Sequence, residues 1–208
     1  MSRIVVFGAG GKAGRRAVAE AVSRGHEVTA VVRDPAAHAG LGGTVVAGDV
    51  TDAASVAAVA RGHDAVVQAA YQAGAPDFFG DAAKALLAGL AEAGVGRLVA
   101  VGIGTTLEVA PGVPLHDTEG FPADGRAFSL GHAAQLEVLR AGGTEVDWVV
   151  LAPPPVVLDA EAERTGAYRS GGVAVLEGAD AFSYADLAVA LIDEVEHPEH
   201  HRALVAIA

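Results

Sequence analysis

The chain has 208 residues, of which 51% are hydrophobic and 19% are charged, a composition that suits one domain with a full core. Its net charge of −12 disfavours binding to nucleic-acid phosphates, and the absence of cysteine excludes disulfides and thiolate chemistry. No apolar run approaches the ~20 residues that span a bilayer, and the first residues lack a signal-peptide pattern. We expect a cytoplasmic monomer or homodimer that binds a small molecule, and neither nucleic acid nor membrane.

Short apolar runs alternate with alanine-rich stretches along the chain. Six runs predict strands, at Ile4–Phe7, Val28–Val32, Val45–Ala47, Ala65–Gln68, Leu98–Val101 and Trp148–Leu151. Five stretches predict helices, near residues 12–24, 52–60, 77–94, 127–141 and 183–196. Repeated strand–helix units indicate an α/β fold with a parallel sheet that is covered on both faces. With no linker or repeat in the sequence, we predict one domain over residues 1–208.

Two stretches fit this alternation poorly, 103–125 and 153–182, and both are rich in glycine, proline and acids. They follow the fifth and sixth predicted strands. Loops at the carboxyl ends of strands build the ligand crevice of an open α/β sheet. We therefore predict that both stretches form the substrate side of the molecule.

A glycine-rich loop, Gly8-Ala9-Gly10-Gly11-Lys12-Ala13-Gly14, directly follows the first predicted strand and opens the first helix. Gly8 permits the tight turn, Gly11 lets a pyrophosphate approach the backbone, and Gly14 lets the helix pack closely on the sheet. The helix N-terminus then offers free N–H groups to the phosphates. The loop predicts a dinucleotide site, although a purely structural turn has the same composition.

The end of the second strand bears on the choice of dinucleotide. An acid that binds the ribose 2′-hydroxyl is typical of NAD sites, whereas this strand ends in Arg33, with Lys12 in the glycine loop. Two cations near one ribose favour a 2′-phosphate, and so NADP(H) over NAD(H). Asp34 could serve as the acid, but Pro35 after it favours a helix-capping role, and Arg33 could also be an unliganded surface residue.

The third and fourth strands end in further candidate contacts. Asp49 could accept a hydrogen bond from the adenine amine while Val50 packs on the ring, and Asp49 could also simply cap a turn. Ala69 and Ala70 are small enough for a cofactor ribose to lie against the backbone, and Tyr71 follows them.

The glycine loop through Arg16, the segment 25–35 and Gly48-Asp49-Val50 together resemble the NmrA-like atypical short-chain dehydrogenase/reductase family. Thr165-Gly166-Ala167-Tyr168, after Pro153-Pro154, also resembles NADPH-dependent flavin reductases. The resemblance covers nearly the whole chain. It implies a doubly wound Rossmann sheet of order 3-2-1-4-5-6 plus a C-terminal strand, with a small substrate cap. It also implies an NADP site formed by Gly8, Gly11, Lys12, Ala13, Arg33, Asp49, Val50, Ala69, Ala70, Gly102, His132 and Pro153. We expect Gly10, Gly14 and Tyr71 to contribute to the same site.

The chain departs from that family in its proton donor. Typical short-chain dehydrogenases use a Tyr-x-x-x-Lys pair, and none of the three tyrosines here has a lysine at that spacing. His132 is a candidate acid, or a residue that only contacts the nicotinamide ribose or caps a helix. Thr105 and Thr106 could bind a substrate oxygen. We interpret His197, His200 and His201 as a solvated loop and predict no metal site.

Two functions fit these observations. The first is an NADPH-dependent oxidoreductase that transfers a hydride to a flavin, a quinone or a small carbonyl acceptor, a reaction in which the cofactor carries the chemistry. The second is a non-catalytic NADP-binding redox sensor of the NmrA type, which the loss of the Tyr–Lys pair motivates.

Overall fold

The computed structural model describes residues 1–75 and 77–208, and in that part of the chain nine strands are present. In chain order they are β1 Arg3–Phe7, β2 Glu27–Val32, β3 Thr44–Ala47, β4 Ala65–Gln68, β5 Arg97–Val101, β6 Glu108–Ala110, β7 Val113–Pro114, β8 Asp147–Ala152 and β9 Ala203–Ala206. Seven of them form one parallel sheet of order β3-β2-β1-β4-β5-β8-β9. The predicted order of six strands plus a C-terminal strand is confirmed.

Two of the five helices in the described part of the chain begin after residues that the sequence marks as side-chain caps. The five helices are α1 Lys12–Ser23, α2 Ala53–Ala60, α3 Phe78–Ala93, α4 Ala123–Ala141 and α5 Tyr184–Glu196. The Asp52 carboxylate accepts from the Ala54 N–H at the start of α2, and Ser183 accepts from Asp186 N–H at the start of α5. α4 begins four residues before the predicted position 127, because Pro122 starts the helix while Asp124 favours its first turn.

Each face of the sheet has its own hydrophobic core, because alternate side chains of a strand point to opposite faces. Val5 and Phe7 face α2, α3 and α4, where Leu86 is buried against them. Ile4 and Val6 face α1 and α5. These two layers of helices hold the carboxyl ends of the strands at one edge of the sheet.

The stretch 103–125 contains structure that the sequence does not predict. β6 and β7 form a small antiparallel hairpin, and only residues 103–105 of the stretch line the cavity described below. The hairpin pairs its backbone with a distant segment, since Glu108 N–H donates to Val173 and Val175 N–H donates to Glu108. Such long-range pairing has no local sequence signal.

Only the beginning of the stretch 153–182 lies on the predicted substrate side of the molecule. Residues 153–158 line the cavity, but Arg164 then binds Glu20 of α1 with two hydrogen bonds of 2.8 Å. Arg169 and Gly171 pair their backbone with Ala208 and Ala206, so this segment covers the edge of the sheet beside β9. The prediction was too broad for this stretch, because an unpaired sheet edge needs backbone partners and the loop supplies them.

Two of the three histidines near the C-terminus, His200 and His201, contact carboxylates. His200 Nδ1 lies 2.5 Å from Glu194 Oε1, and His201 Nδ1 lies 2.7 Å from Asp147 Oδ2. Arg97 binds both carboxylates, at 2.6 Å and 2.7 Å. Our interpretation of a solvated loop agrees with the exposure of His197 and His201, but it missed the carboxylate partners of His200 and His201, which come from α5 and β8. Within the residues that the structure describes, no helix combines the length and apolar character needed to cross a membrane.

Candidate functional site

A cavity of about 1060 Å³ opens along the carboxyl ends of the strands. It begins at β2 and β3, crosses the glycine loop after β1, and ends between the residues that follow β4, β5 and β8. The order of the sheet reverses between β1 and β4, which is the position where open α/β sheets bind their ligands. We call the part beside Arg33 the adenosine end and the part beside His132 the acceptor end.

The glycine loop forms the floor of the cavity. Gly8 has a φ of +75°, and a Cβ there would overlap the backbone of Ala70, so the close approach of β1 and β4 requires glycine. A Cβ at Gly14 would overlap the Gly8 carbonyl, and Gly14 itself does not line the cavity. Gly11 occupies the N-cap of α1 without a side chain, which leaves the N–H groups of the first turn facing the cavity.

The cations at the adenosine end differ in part from those that the sequence suggests. Arg33 lines the cavity and is exposed. Lys12 also lines it, but its Nζ lies 6.0 Å from the ring centre of Tyr184 at the start of α5, and α5 packs on β5 and β8. The expected convergence of Lys12 and Arg33 on one ribose is therefore not seen, because the first turn of α1 directs Lys12 to the opposite side.

Two residues near Gly10 were missed by the sequence analysis. A Cβ at Gly10 would lie 2.6 Å from His38 Cε1, so the imidazole packs directly over this glycine. Arg15 donates a 2.8 Å hydrogen bond to the Gly10 carbonyl. His38 lies in a single helical turn, Pro35–His38, in which the Asp34 carboxylate accepts from the Ala36 N–H. Asp34 thus takes the capping role. The Asp34-Pro35 pair is the one sequence signal for the turn that brings His38 back to the glycine loop.

Asp49 and Val50 line the adenosine end beside Arg33. Asp49 Oδ1 accepts from the N–H and hydroxyl of Thr51, at 2.9 Å and 2.7 Å. The Thr51 hydroxyl lowers the pKa of Asp49 below its usual value, followed by the Thr51 N–H, and the Arg33 charge adds to this. The carboxylate is therefore ionised at neutral pH and remains a hydrogen-bond acceptor, and it also organises its own turn.

Small residues line the middle of the cavity. Ala69, Ala70, Gly102 and Pro153 all line it. A Cβ at Gly102 would lie 2.6 Å from Val150 Cγ1. Gly102 is therefore packed closely on β8, and the cavity continues along the carboxyl ends of β4 and β5.

Aromatic side chains form the wall of the acceptor end. The ring centres of Tyr71 and Phe128 are 5.4 Å apart, and Phe79 lies 5.5 Å from Phe128. His132 stacks on Phe79 with a separation of 3.7 Å. Tyr71 is 58% exposed, so the wall continues to the mouth of the cavity. Phe79 and Phe128 were not predicted as site residues, because aromatic residues in helices are ordinarily part of the core.

His132 is almost fully buried, and burial lowers its pKa to about 4, against a smaller opposing effect of Gln135. Its Nδ1 lies 3.3 Å from Gln135 Oε1. Because an amide oxygen only accepts, Nδ1 carries the proton, and Nε2 is unprotonated and has a free lone pair. At neutral pH the ring is uncharged, which argues against His132 as an imidazolium acid.

The two threonines after β5 differ in position. Thr105 lines the cavity, and its Oγ1 lies 2.7 Å from Ser129 Oγ of α4. Thr106 is buried outside the cavity, and its hydroxyl donates to the Ile103 carbonyl at 2.7 Å. Thr106 is therefore not placed to bind a substrate oxygen, since its proton closes the local turn.

The residues present fit a dinucleotide with phosphates in its middle. The glycine loop leaves space and N–H donors where a pyrophosphate needs them, and the cavity extends from it in both directions. All of the expected cofactor residues except Gly14 line this cavity.

Comparison with known proteins agrees with this geometry. The model of the NAD(P)H-binding family matches residues 8–198. The uncharacterized protein YwnB of Bacillus subtilis is 35% identical over 204 residues, which cover 95% of this chain and 94% of YwnB.

Two solved structures are also similar over the full chain. A protein from Burkholderia pseudomallei, provisionally named as exported, is 39% identical with a TM-score of 0.88, and the match covers 100% of both chains. A Streptococcus pneumoniae protein, provisionally named an NADH-flavin reductase, is 28% identical with a TM-score of 0.85, and the match covers 100% of this chain and 99% of that one. The chain belongs to the NAD(P)H-binding Rossmann family, as its resemblance to the NmrA-like atypical short-chain dehydrogenases implies.

Proposed function

We propose that this protein is an NADPH-dependent oxidoreductase that transfers a hydride to a flavin, a quinone or a small carbonyl acceptor without a Tyr-x-x-x-Lys pair. The observation that carries the proposal is the single cavity, which joins a phosphate-binding loop to an aromatic acceptor end. When bound, the reduced nicotinamide supplies the hydride.

The chain's own residues would bind and orient the two reactants. The N–H groups at the start of α1 would hold the pyrophosphate, and Arg33 would hold a 2′-phosphate. The aromatic wall offers flat surfaces on which a planar acceptor can stack. Since the hydride carries one negative charge to the acceptor, one proton must follow it, and water at the open mouth beside Tyr71 can supply that proton.

The choice of NADPH over NADH is supported by the charges at the adenosine end. Arg33 lines the cavity at the end of β2, and Arg15 lies against the Gly10 carbonyl of the glycine loop. A guanidinium binds a phosphate with two parallel hydrogen bonds, which a ribose hydroxyl cannot form. We place the protein in the cytoplasm, where NADPH is available.

An acceptor panel tests this function. The purified protein is mixed with NADPH and with FMN, menadione or a small aldehyde, and the absorbance of the reduced nicotinamide is followed at about 340 nm. We expect oxidation that depends on both the protein and the acceptor. Tight NADP⁺ binding by calorimetry with no oxidation by any acceptor would instead support the non-catalytic redox sensor.

A further inference from the structure

The hydrogen-bonding polarity of the acceptor end is fixed by a chain of three oxygens. Ser129 Oγ lies 2.8 Å from the Gly125 carbonyl and 2.7 Å from Thr105 Oγ1. A carbonyl cannot donate, and two oxygens at 2.8 Å with no proton between them repel each other. The Ser129 proton therefore lies toward Gly125, and the Thr105 proton lies toward Ser129. Thr105 Oγ1 is left with a lone pair for the cavity.

His132, like Thr105, offers a hydrogen-bond acceptor rather than a donor. Ser129 and His132 are three residues apart in α4, so they share one face of the helix. Nδ1 of His132 donates to Gln135, which leaves the lone pair of Nε2. Thr105 and His132 both line the cavity, and the burial of Ser129 (0% exposed) prevents water from replacing its hydrogen bonds.

The acceptor end therefore differs from the site of a carbonyl reductase, in which a hydroxyl group donates to the substrate oxygen. A ligand carbonyl facing Thr105 and His132 would meet two further lone pairs. A ligand N–H would instead meet two acceptors. A ligand without an N–H would leave these two buried acceptors unpaired, which costs binding free energy.

We propose that Thr105 and His132 act as a pair of hydrogen-bond acceptors that determine specificity, selecting a planar heteroaromatic hydride acceptor with a ring N–H over one that presents only carbonyl oxygens. This inference rests on the proposed function, since it names the acceptor class of the same cavity. Ser129 is a positioning residue in it, because it acts only through Thr105.

A pair of ligands that differ in one proton tests the inference. Lumiflavin carries a ring N–H at N3, and its N3-methyl derivative does not, while menadione has only carbonyl oxygens. Binding of each to the NADP⁺-saturated protein is measured by calorimetry. We expect lumiflavin to bind about tenfold more tightly than the methylated flavin, the ratio that one buried hydrogen bond supports.

Three variants separate the parts of the argument. Thr105→Val keeps the shape but removes the acceptor, and should reduce the ratio between the two flavins to about threefold or less. Ser129→Ala frees the Thr105 proton to donate, and should strengthen menadione binding by about threefold. Thr118→Val is the matched control, because the Thr118 hydroxyl donates to the Leu115 carbonyl away from the cavity, and should change neither ratio.

Equal binding of the two flavins to the wild type, no binding of lumiflavin, or an unchanged ratio in Thr105→Val would overturn the inference. These results are distinct from a failure of the proposed function. Oxidation of NADPH without discrimination between the flavins removes only the inference, whereas discrimination without NADPH oxidation removes only the enzymatic role. Thermal melting of each variant verifies that it is folded.

Discussion

The two ends of the cavity are built from different parts of the chain. At the glycine loop, contacts come from backbone N–H groups and the space left by Gly8 and Gly11, all within one short segment. At the acceptor end, they come from side chains of Tyr71, which follows β4, and of Phe128 and His132, which lie on the distant helix α4. The comparison teaches that a local sequence motif can predict a site made of backbone groups. A site made of side chains depends on how distant elements pack, which a local motif does not predict.

The largest effect should come from filling the space at the loop. Gly11→Val puts a branched side chain into the cavity at the N-cap of α1. A clash of about 3 kcal/mol corresponds to about a hundredfold weaker binding of both NADPH and NADH, measured by calorimetry. Gly96→Val is the control, since a Cβ at Gly96 meets no atom within 4 Å. Unchanged affinity in Gly11→Val would refute the loop as the pyrophosphate site.

The buried His132 of the acceptor end should make the free energy of unfolding depend on pH. The folded-state pKa of His132 is lowered to about 4, so the unfolded chain binds this proton more readily. Stability from this group is present above the unfolded pKa of about 6.5 and is lost as the pH falls toward 4. Between pH 7 and pH 4.5 the loss is about 2–3 kcal/mol.

Denaturant unfolding of the wild type and His132→Gln at both pH values measures this loss. The other titrating groups are common to the two proteins, so the difference between their pH dependences isolates His132. We expect the variant to lose less stability on acidification. An identical pH dependence would show that His132 is not buried in its neutral form.

Much of the fold follows from patterns that repeat locally. Continuous apolar strands, the caps Asp52 and Ser183, and the glycine loop all act within a few residues, and the sheet order is that of the related family. The hairpin of β6 and β7 and the edge segment at Arg169 escaped prediction, because their hydrogen bonds join residues far apart in sequence. His38 and Phe128 escaped for the same reason, since only packing brings them to the cavity.

Arg33→Ala sharpens the comparison at the adenosine end. Loss of the guanidinium should weaken NADPH binding by about tenfold, with little change for NADH, because a charge-assisted hydrogen bond contributes about 1.5–3 kcal/mol. Calorimetry with each coenzyme gives the ratio. Arg61→Ala, an exposed arginine 3.6 Å from Glu92, serves as the control. An equal loss for both coenzymes would contradict the 2′-phosphate assignment.

The smallest effect should come from Lys12. Its position over Tyr184 directs its charge away from Arg33, so Lys12→Ala should weaken NADPH and NADH equally. An exposed charge is screened by solvent, and we expect about a threefold loss for each coenzyme. Lys84→Ala, whose lysine pairs with Asp81 at 3.1 Å, is the matched control. A selective loss of NADPH binding would show that Lys12 contacts the 2′-phosphate and would contradict this expectation.

A crystal structure of the protein with NADP⁺ tests most directly whether one cavity serves both reactants. We expect the pyrophosphate against the backbone of residues 10–13, the 2′-phosphate beside Arg33, and the nicotinamide directed toward Thr105 and His132. A nucleotide bound in the opposite direction, with its nicotinamide beside Arg33, or bound outside this cavity would contradict the account.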